Sequence, residues 1–244
     1  MTKILAYPLS VIYFIFFGMA LVIFHPIQWI TLNVFGYKAH KTAVDWLQFS
    51  LLRCQNILGT RFTFRNKYTI DTDQPVIIVS NHQSMFDIPP IIWFFRKHHP
   101  KFISKKELGR GIPSVSYNLR HGGSVLIDRK KPAEAVAAIK KFGASIEKNK
   151  WGAVIFPEGT RSRDGHPKPF QTKGLLTLFA EIPSATVIPV TINNSWKTIR
   201  YGKFPMGLGS HITIDVHQPH KVSEYNALEL IATIEKQITD AIVV

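Results

Sequence analysis

The residues of this chain that can do chemistry gather just after short apolar runs. In VIIVSNHQSMFDIPP, Asn81 and His82 directly follow such a run, and Asp87 comes after four intervening residues. A turn here can fold the Asp87 carboxylate onto one ring nitrogen of His82, which fixes the tautomer and frees the other nitrogen as a base. Taken alone, His-x4-Asp describes a solvated loop pair at least as well.

Two further runs end the same way. HGGSVLIDRKKP closes on Asp128, Arg129, Lys130 and Lys131. Arg129 can grip a phosphate with two parallel N–H groups, although a solvated charge run before a helix explains the same string. AVIFPEGTRSRDG carries Glu158, Gly159, Thr160 and Arg161 immediately after the run, with Pro157 fixing its end. Glycine permits close backbone approach to a ligand, and backbone N–H groups, the Thr160 hydroxyl and Arg161 together make an anion site.

These residues need a scaffold that brings run ends together. The apolar patterning predicts strands at 60–65, 75–80, 101–104, 123–127, 152–156, 186–192 and 211–216. Helices are expected at 42–58, 86–97, 132–148, 173–181 and 223–242. Pro132 suits a first helical turn, and Ser223 opens a helix with Ile231, Ile234, Ile238 and Ile242 on one face. Val- and Ile-rich strands alternating with helices imply an α/β domain with a largely buried, mixed sheet flanked by helices. Sites in such folds collect in the loops at strand ends.

Ahead of this domain, residues 4–37 contain no Lys, Arg, Asp or Glu. The segment exceeds the roughly 20 apolar residues that a membrane span requires. It reads as a hydrophobic helical membrane anchor, either one spanning helix from about Ile4 to Phe24 or a helix pair broken near His25-Pro26 with both arms in one leaflet. The division expected is an anchoring region at 1–58 and an α/β domain at 59–244.

Lys and Arg outnumber Asp and Glu by 30 to 16, so the partners should be anionic. Nucleic acid, an anionic bilayer and phosphorylated substrates all qualify by charge. The charge-free segment argues against a soluble nucleic-acid binder. The single cysteine, Cys54, shares a helical face with Leu47, Leu51 and Leu58 and reads as a small buried hydrophobe. No histidine cluster has zinc spacing, so no metal is expected, and His98-His99 reads as a surface turn before Pro100. A lipase is disfavoured because no G-x-S-x-G elbow occurs.

The strings in order resemble the glycerolipid acyltransferase family, in particular its lysophosphatidate (1-acylglycerol-3-phosphate) branch. NHQSMFD at 81–87, GGSVLIDR at 122–129, FPEGTRS at 156–162 and VIPVTI at 187–192 are similar to the family's four blocks, over roughly residues 75–195. The resemblance implies a general-base reaction in which His82, oriented by Asp87, deprotonates a lysolipid hydroxyl that attacks an acyl thioester. No acyl-enzyme is then required, and Ser84 is not needed as a nucleophile. It further implies acceptor binding by Glu158, Gly159, Thr160 and Arg161, with Arg129 second and Lys105 third as phosphate ligands. The expected donor is acyl-CoA or acyl-carrier protein, with no cofactor beyond that co-substrate. The expected location is the cytoplasmic face of the cell membrane, held by the N-terminal helices among membrane lipids. Lyso-ornithine lipid, another lysophospholipid or glycerol 3-phosphate are alternative acceptors, and a lysophospholipase or transacylase would use similar residues.

Overall fold

The computed structural model describes residues 2–244. It opens with helix α1, Thr2–Phe35, followed by α2, Tyr37–Gln55, which folds back against it. This shifts the helix end expected near Phe24 and the break expected near His25-Pro26. The helix runs through Pro26, which removes only one backbone donor, and the break falls instead at Gly36, whose φ of 80° a side chain would resist. One stripe of α1 is docked on the rest of the chain: Ala6, Ser10, Tyr13, Leu21 and Gln28 are buried, at the spacing one helical face demands. The opposite stripe is exposed and apolar, including Ile4, Ile15, Met19, Val22 and Trp29.

The remaining strands are β1 (Arg61–Arg65), β2 (Val76–Ser80), β3 (Pro100–Lys105), β4 (Val125–Ile127), β5 (Gly152–Ile155), β6 (Thr186–Asn193), β7 (His211–Val216) and β8 (His220–Lys221). They form one mixed sheet in the order β1-β7-β6-β2-β5-β3-β4, with β8 against β6. Strands β6, β2, β5, β3 and β4 are mutually parallel, whereas β7 runs antiparallel to β6. All five residues of β2 are buried, as the unbroken run VIIVS requires of a strand covered on both faces.

The helices of the domain are α3 (Ile88–Phe94), α4 (Val115–His121), α5 (Pro132–Asn149), α6 (Thr172–Glu181) and α7 (Ala227–Thr239). Side chains alternate across the strands. Ile77, Val79, Ala153, Ile155 and Val187 join α5, α6 and α7 in one core. Val76, Ile78, Val154, Ile188 and Ile214 point the other way, towards α3 and Val44 of α2.

Several expectations change in detail. The helix expected at 86–97 is three pieces, a 3-10 turn at Met85–Asp87, then α3, then a 3-10 turn at Arg96–His98. The Asp87 side chain is spent on capping at its start, and Phe95 leaves helical geometry. The helix expected from Ser223 starts later, because Asn226 is its cap and accepts from Leu228 N. Helix α4 and strand β8 were not foreseen. The His98-His99 pair is not a surface turn: His98 is buried, and His99 lies in the left-handed region with Nδ1 3.0 Å from the Tyr37 hydroxyl.

Candidate active site

Because β2, β5, β3, β4 and β6 are parallel, their C-terminal ends share one edge of the sheet. That topology brings together residues drawn from distant parts of the sequence. His82 leaves β2, Glu158 to Arg161 leave β5, Lys105 ends β3, Arg129 follows β4, and Ser195 follows β6.

Asn81 fastens the first exit. Its side-chain amide donates to the Ile192 carbonyl at 2.8 Å and accepts from Ile192 N at 2.7 Å, so it extends the ladder between β2 and β6 by one rung. The main chain at His82 is gripped by the β5 exit. His82 N donates to Oε1 of Glu158 at 2.8 Å, and Ser162 N donates to the His82 carbonyl at 2.7 Å.

The turn then folds Asp87 back onto His82. Oδ2 of Asp87 lies 2.7 Å from His82 Nδ1 and accepts the N–H groups of Gln83 and Ser84 at 2.7 and 2.9 Å. Ser84 reciprocates by accepting from Phe86 N, and this capping box defines the turn. Oδ1 of Asp87 accepts the hydroxyl of Ser195. Asp87 is fully buried, so each of these donors replaces lost solvent.

A carboxylate at Nδ1 places the ring proton there and leaves Nε2 as the acceptor. Nε2 lies 3.4 Å from Nε of Arg161, the donor that matches this tautomer. Phe156 stacks on the imidazole, with centroids 4.1 Å apart and planes at 17°, which blocks ring rotation. The arrangement is an oriented imidazole beside a guanidinium, not a solvated loop pair.

The other expected site residues separate into two groups. Arg161 stands at the base itself. Arg129 is exposed and donates to the Gly159 carbonyl, thereby bridging the β4 and β5 exits. Gly159 adopts φ 71°, the left-handed conformation its residue type allows. Thr160 is exposed, and its hydroxyl accepts from Lys168 Nζ at 2.9 Å. Lys105 is exposed at the end of β3, where it registers with Ile127 one strand from Arg129. Glu158 differs from these: it is buried and turned inward, taking His82 N on one oxygen and Lys168 N on the other at 3.2 Å. Burial pushes its carboxyl up to about 7, against the pull of those two N–H groups.

Four contributors escaped the sequence reading: Ser195, Phe156, Ser162 and Lys168. Phe156 sits inside the third block and was legible as a neighbour. Ser195 carries no local signal, since its part depends on β6 lying beside β2. Among the described residues, no group of His, Cys, Asp and Glu is arranged to hold a metal ion. Cys54 is half-buried against the apolar cluster of Tyr13, Leu58 and Phe86.

Comparison with known proteins places this arrangement. Residues 61–193 match a family model described as Acyltransferase. The 1-acyl-sn-glycerol-3-phosphate acyltransferase BAT2, chloroplastic, of Brassica napus is 31% identical over 148 residues, 61% of this chain and 41% of that protein. The 1-acyl-sn-glycerol-3-phosphate acyltransferase of Helicobacter pylori is 36% identical over 124 residues, 50% of this chain and 49% of that one. The chain thus spans about half the length of the curated relatives it matches. The crystal structure of the 1-acyl-sn-glycerophosphate (LPA) acyltransferase PlsC from Thermotoga maritima superposes with a TM-score of 0.81 at 24% identity, covering 98% of this chain and 95% of that one, a likeness of fold. The family match takes in both the His82–Asp87 turn and the Glu158–Arg161 loop and covers more than half of the sequence, and on that ground the chain belongs to the acyltransferase family.

Proposed function

We propose that this acyltransferase moves a fatty acyl group from a thioester, acyl-CoA or acyl-carrier protein, to the sn-2 hydroxyl of 1-acylglycerol 3-phosphate, giving phosphatidic acid. The observation that carries the reading is the 3.4 Å approach of Arg161 Nε to His82 Nε2. In this acceptor the reacting hydroxyl and the phosphate sit on adjacent carbons. A base atom and a fixed cation side by side match that spacing. The names of the relatives point to the same acceptor.

The acceptor oxygen attacks the thioester carbonyl as its proton passes to His82 Nε2. The tetrahedral intermediate collapses, the C–S bond breaks, and the imidazolium returns the proton to the departing thiolate. Asp87 holds Nδ1–H and stabilises the imidazolium. General-base help of this kind contributes about 10²–10⁴-fold. Arg161 binds the acceptor phosphate, and Arg129, two strands along at the β4 exit but reaching the Gly159 carbonyl, is placed for a second contact. No acyl-enzyme forms.

The reading includes attachment to a membrane through α1. The helix is long and apolar enough to cross a bilayer. Its docked stripe nevertheless runs from Ala6 to Asn33, which donates to the Tyr117 hydroxyl at 3.2 Å, so the domain accompanies it along its length. That favours a helix lying in one leaflet, its exposed apolar stripe in lipid, and we assign it to the cytoplasmic face. Acyl transfer measured on a panel of lysophosphatidate, glycerol 3-phosphate, lyso-ornithine lipid and other lysophospholipids tests the assignment. Lysophosphatidate should be the best acceptor. Its being the poorest would overturn the reading in favour of the same chemistry on another lysolipid.

A further inference from the structure

The second block of the sequence, GGSVLIDR, is only half accounted for by the catalytic edge. Arg129 reaches that edge. Gly122, Gly123 and Ser124 lie at the opposite end of the same strand, just before β4 and beside the start of β3, where residues of α2 come close. Gly122 and Ser124 line a pocket there, shared with His40, Lys41 and Lys101. Lys101 is the second residue of β3 and Lys105 the last, so the pocket is separated from the strand exits by roughly 13 Å of strand.

The pocket is built around a lysine without a carboxylate partner among the described residues. Lys101 is 6% exposed, and its Nζ sits 4.9 Å from the Tyr37 ring centre and 4.8 Å from that of Trp151. The nearby carboxylate, Asp45, is taken by Lys41 at 2.5 Å. His40 is 1% exposed, and neither of its ring nitrogens has a partner among the described residues. The Ser124 hydroxyl accepts from Phe102 N at 3.1 Å and keeps its own proton to donate. Gly123 allows the tight wall, since a Cβ there would meet the Trp151 ring at 2.9 Å. Lys101, His40 and Ser124 thus line one cavity of about 20 Å³, room for about one oxygen-sized group, together with the Lys41–Asp45 pair.

We propose that this pocket takes a phosphate oxygen from the headgroup of an anionic phospholipid, a binding site separate from the catalytic one. The donors are those of an anion site. The source follows from what adjoins it. Tyr37, whose ring roofs Lys101, follows Gly36 and the highly exposed apolar pair Val34 (65%) and Phe35 (69%). Acyl chains lying on that end of α1 would bring a headgroup to the pocket, and Tyr, Trp and Lys are the residue types suited to a lipid–water boundary. The titratable groups around Lys101 are Tyr37 and, from α2, His40, Lys41 and Asp45, with His99 just before β3, while His121 from α4 faces His40. Burial, then Lys41, brings the Lys101 ammonium down to about 7, and burial brings His40 to about 4. A bound phosphate restores the ammonium's charge, so the site binds more tightly as pH falls through neutrality.

This inference rests on the membrane attachment proposed above, and flotation separates the two. The full-length protein is mixed with phosphatidylcholine vesicles, with or without phosphatidylglycerol, and scored by flotation and thermal unfolding. Wild type should float and gain about 3 °C or more in Tm from phosphatidylglycerol. Lys101→Met, which keeps the stem and removes the charge, should still float but lose most of that gain. Ser124→Ala should lose part of it. An equal gain in Lys101→Met overturns the site, and so does a full gain from inorganic phosphate without vesicles, which would mark a solution ion. A wild type that fails to float overturns the attachment itself.

Discussion

The Ser195 hydroxyl donates to Oδ1 of Asp87 from 108 residues further along the chain, and Ser195 N also donates to Oε1 of Gln83 at 3.0 Å. The His82–Asp87 turn is therefore clamped from the end of β6, and the fourth block of the sequence leads directly into this serine. Ser195→Ala leaves Oδ1 of a buried carboxylate short of a donor. The expected loss is about 1.5–3 kcal/mol of stability, with a fall in kcat at little change in KM. Thermal unfolding and steady-state kinetics of the variant check it. A normal kcat would mean that the clamp does not position the dyad.

Asp87→Asn changes the chemistry without much change in shape. The amide can no longer stabilise an imidazolium and permits the wrong tautomer of His82. The variant should fold and bind acceptor but lose orders of magnitude in kcat. Wild-type turnover from Asp87→Asn would remove the orienting role.

Arg161→Ala should act chiefly on the acceptor. Loss of a charge-assisted contact to phosphate should raise the acceptor KM by about ten- to a hundredfold. Arg161→Lys should recover part of the effect, because a point charge replaces a planar fork. A KM unchanged for a phosphorylated acceptor would place the phosphate elsewhere, with Arg129 the next residue to test.

Glu158 predicts a pH dependence of stability. Its folded carboxyl is raised from 4.5 to about 7, so between these values the native state holds a proton that the unfolded chain has released. Stability must then fall as pH rises across that window. Glu158→Gln should remove this part of the slope. Parallel Tm-versus-pH profiles for wild type and variant would argue against the buried, proton-holding state.

Phe86 ties the motif to α1. It is 3% exposed and makes edge contacts with Tyr13 and Phe17 of α1 at 6.2 and 6.4 Å. Phe86→Ala should cost about 3–5 kcal/mol. It should also lower activity, because Phe86 and Asp87 share one turn. Unfolding midpoints in detergent measure the first effect, and a wild-type midpoint would show that α1 does not brace the turn.

Local chemistry was readable where it repeats in the sequence. Unbroken Val and Ile runs marked the buried strands, and the polar residues after them marked the edge at which His82, Arg129 and Arg161 gather. Contacts set by topology were not readable. Ser195 matters only because β6 lies beside β2, and the hold of the buried Glu158 on the His82 main chain likewise depends on β5 lying beside β2. Pro26 gave a stronger textual signal for a helix break than Gly36, yet one missing donor is tolerated within a helix and a positive φ is not. His98 and His99 looked like surface residues because polarity alone does not reveal the aromatic rings of Phe95, Tyr37 and Trp151 packed beside them.

Everything proposed for the reaction depends on His82 Nε2 taking the proton from the acceptor hydroxyl. The most direct measurement is kcat/KM for acyl transfer to lysophosphatidate by purified His82→Ala in vesicles, alongside its unfolding midpoint. The expected result is a fall of about 10²–10⁴-fold with the midpoint little changed. Activity within about tenfold of wild type would fall outside that range and would contradict the general-base role.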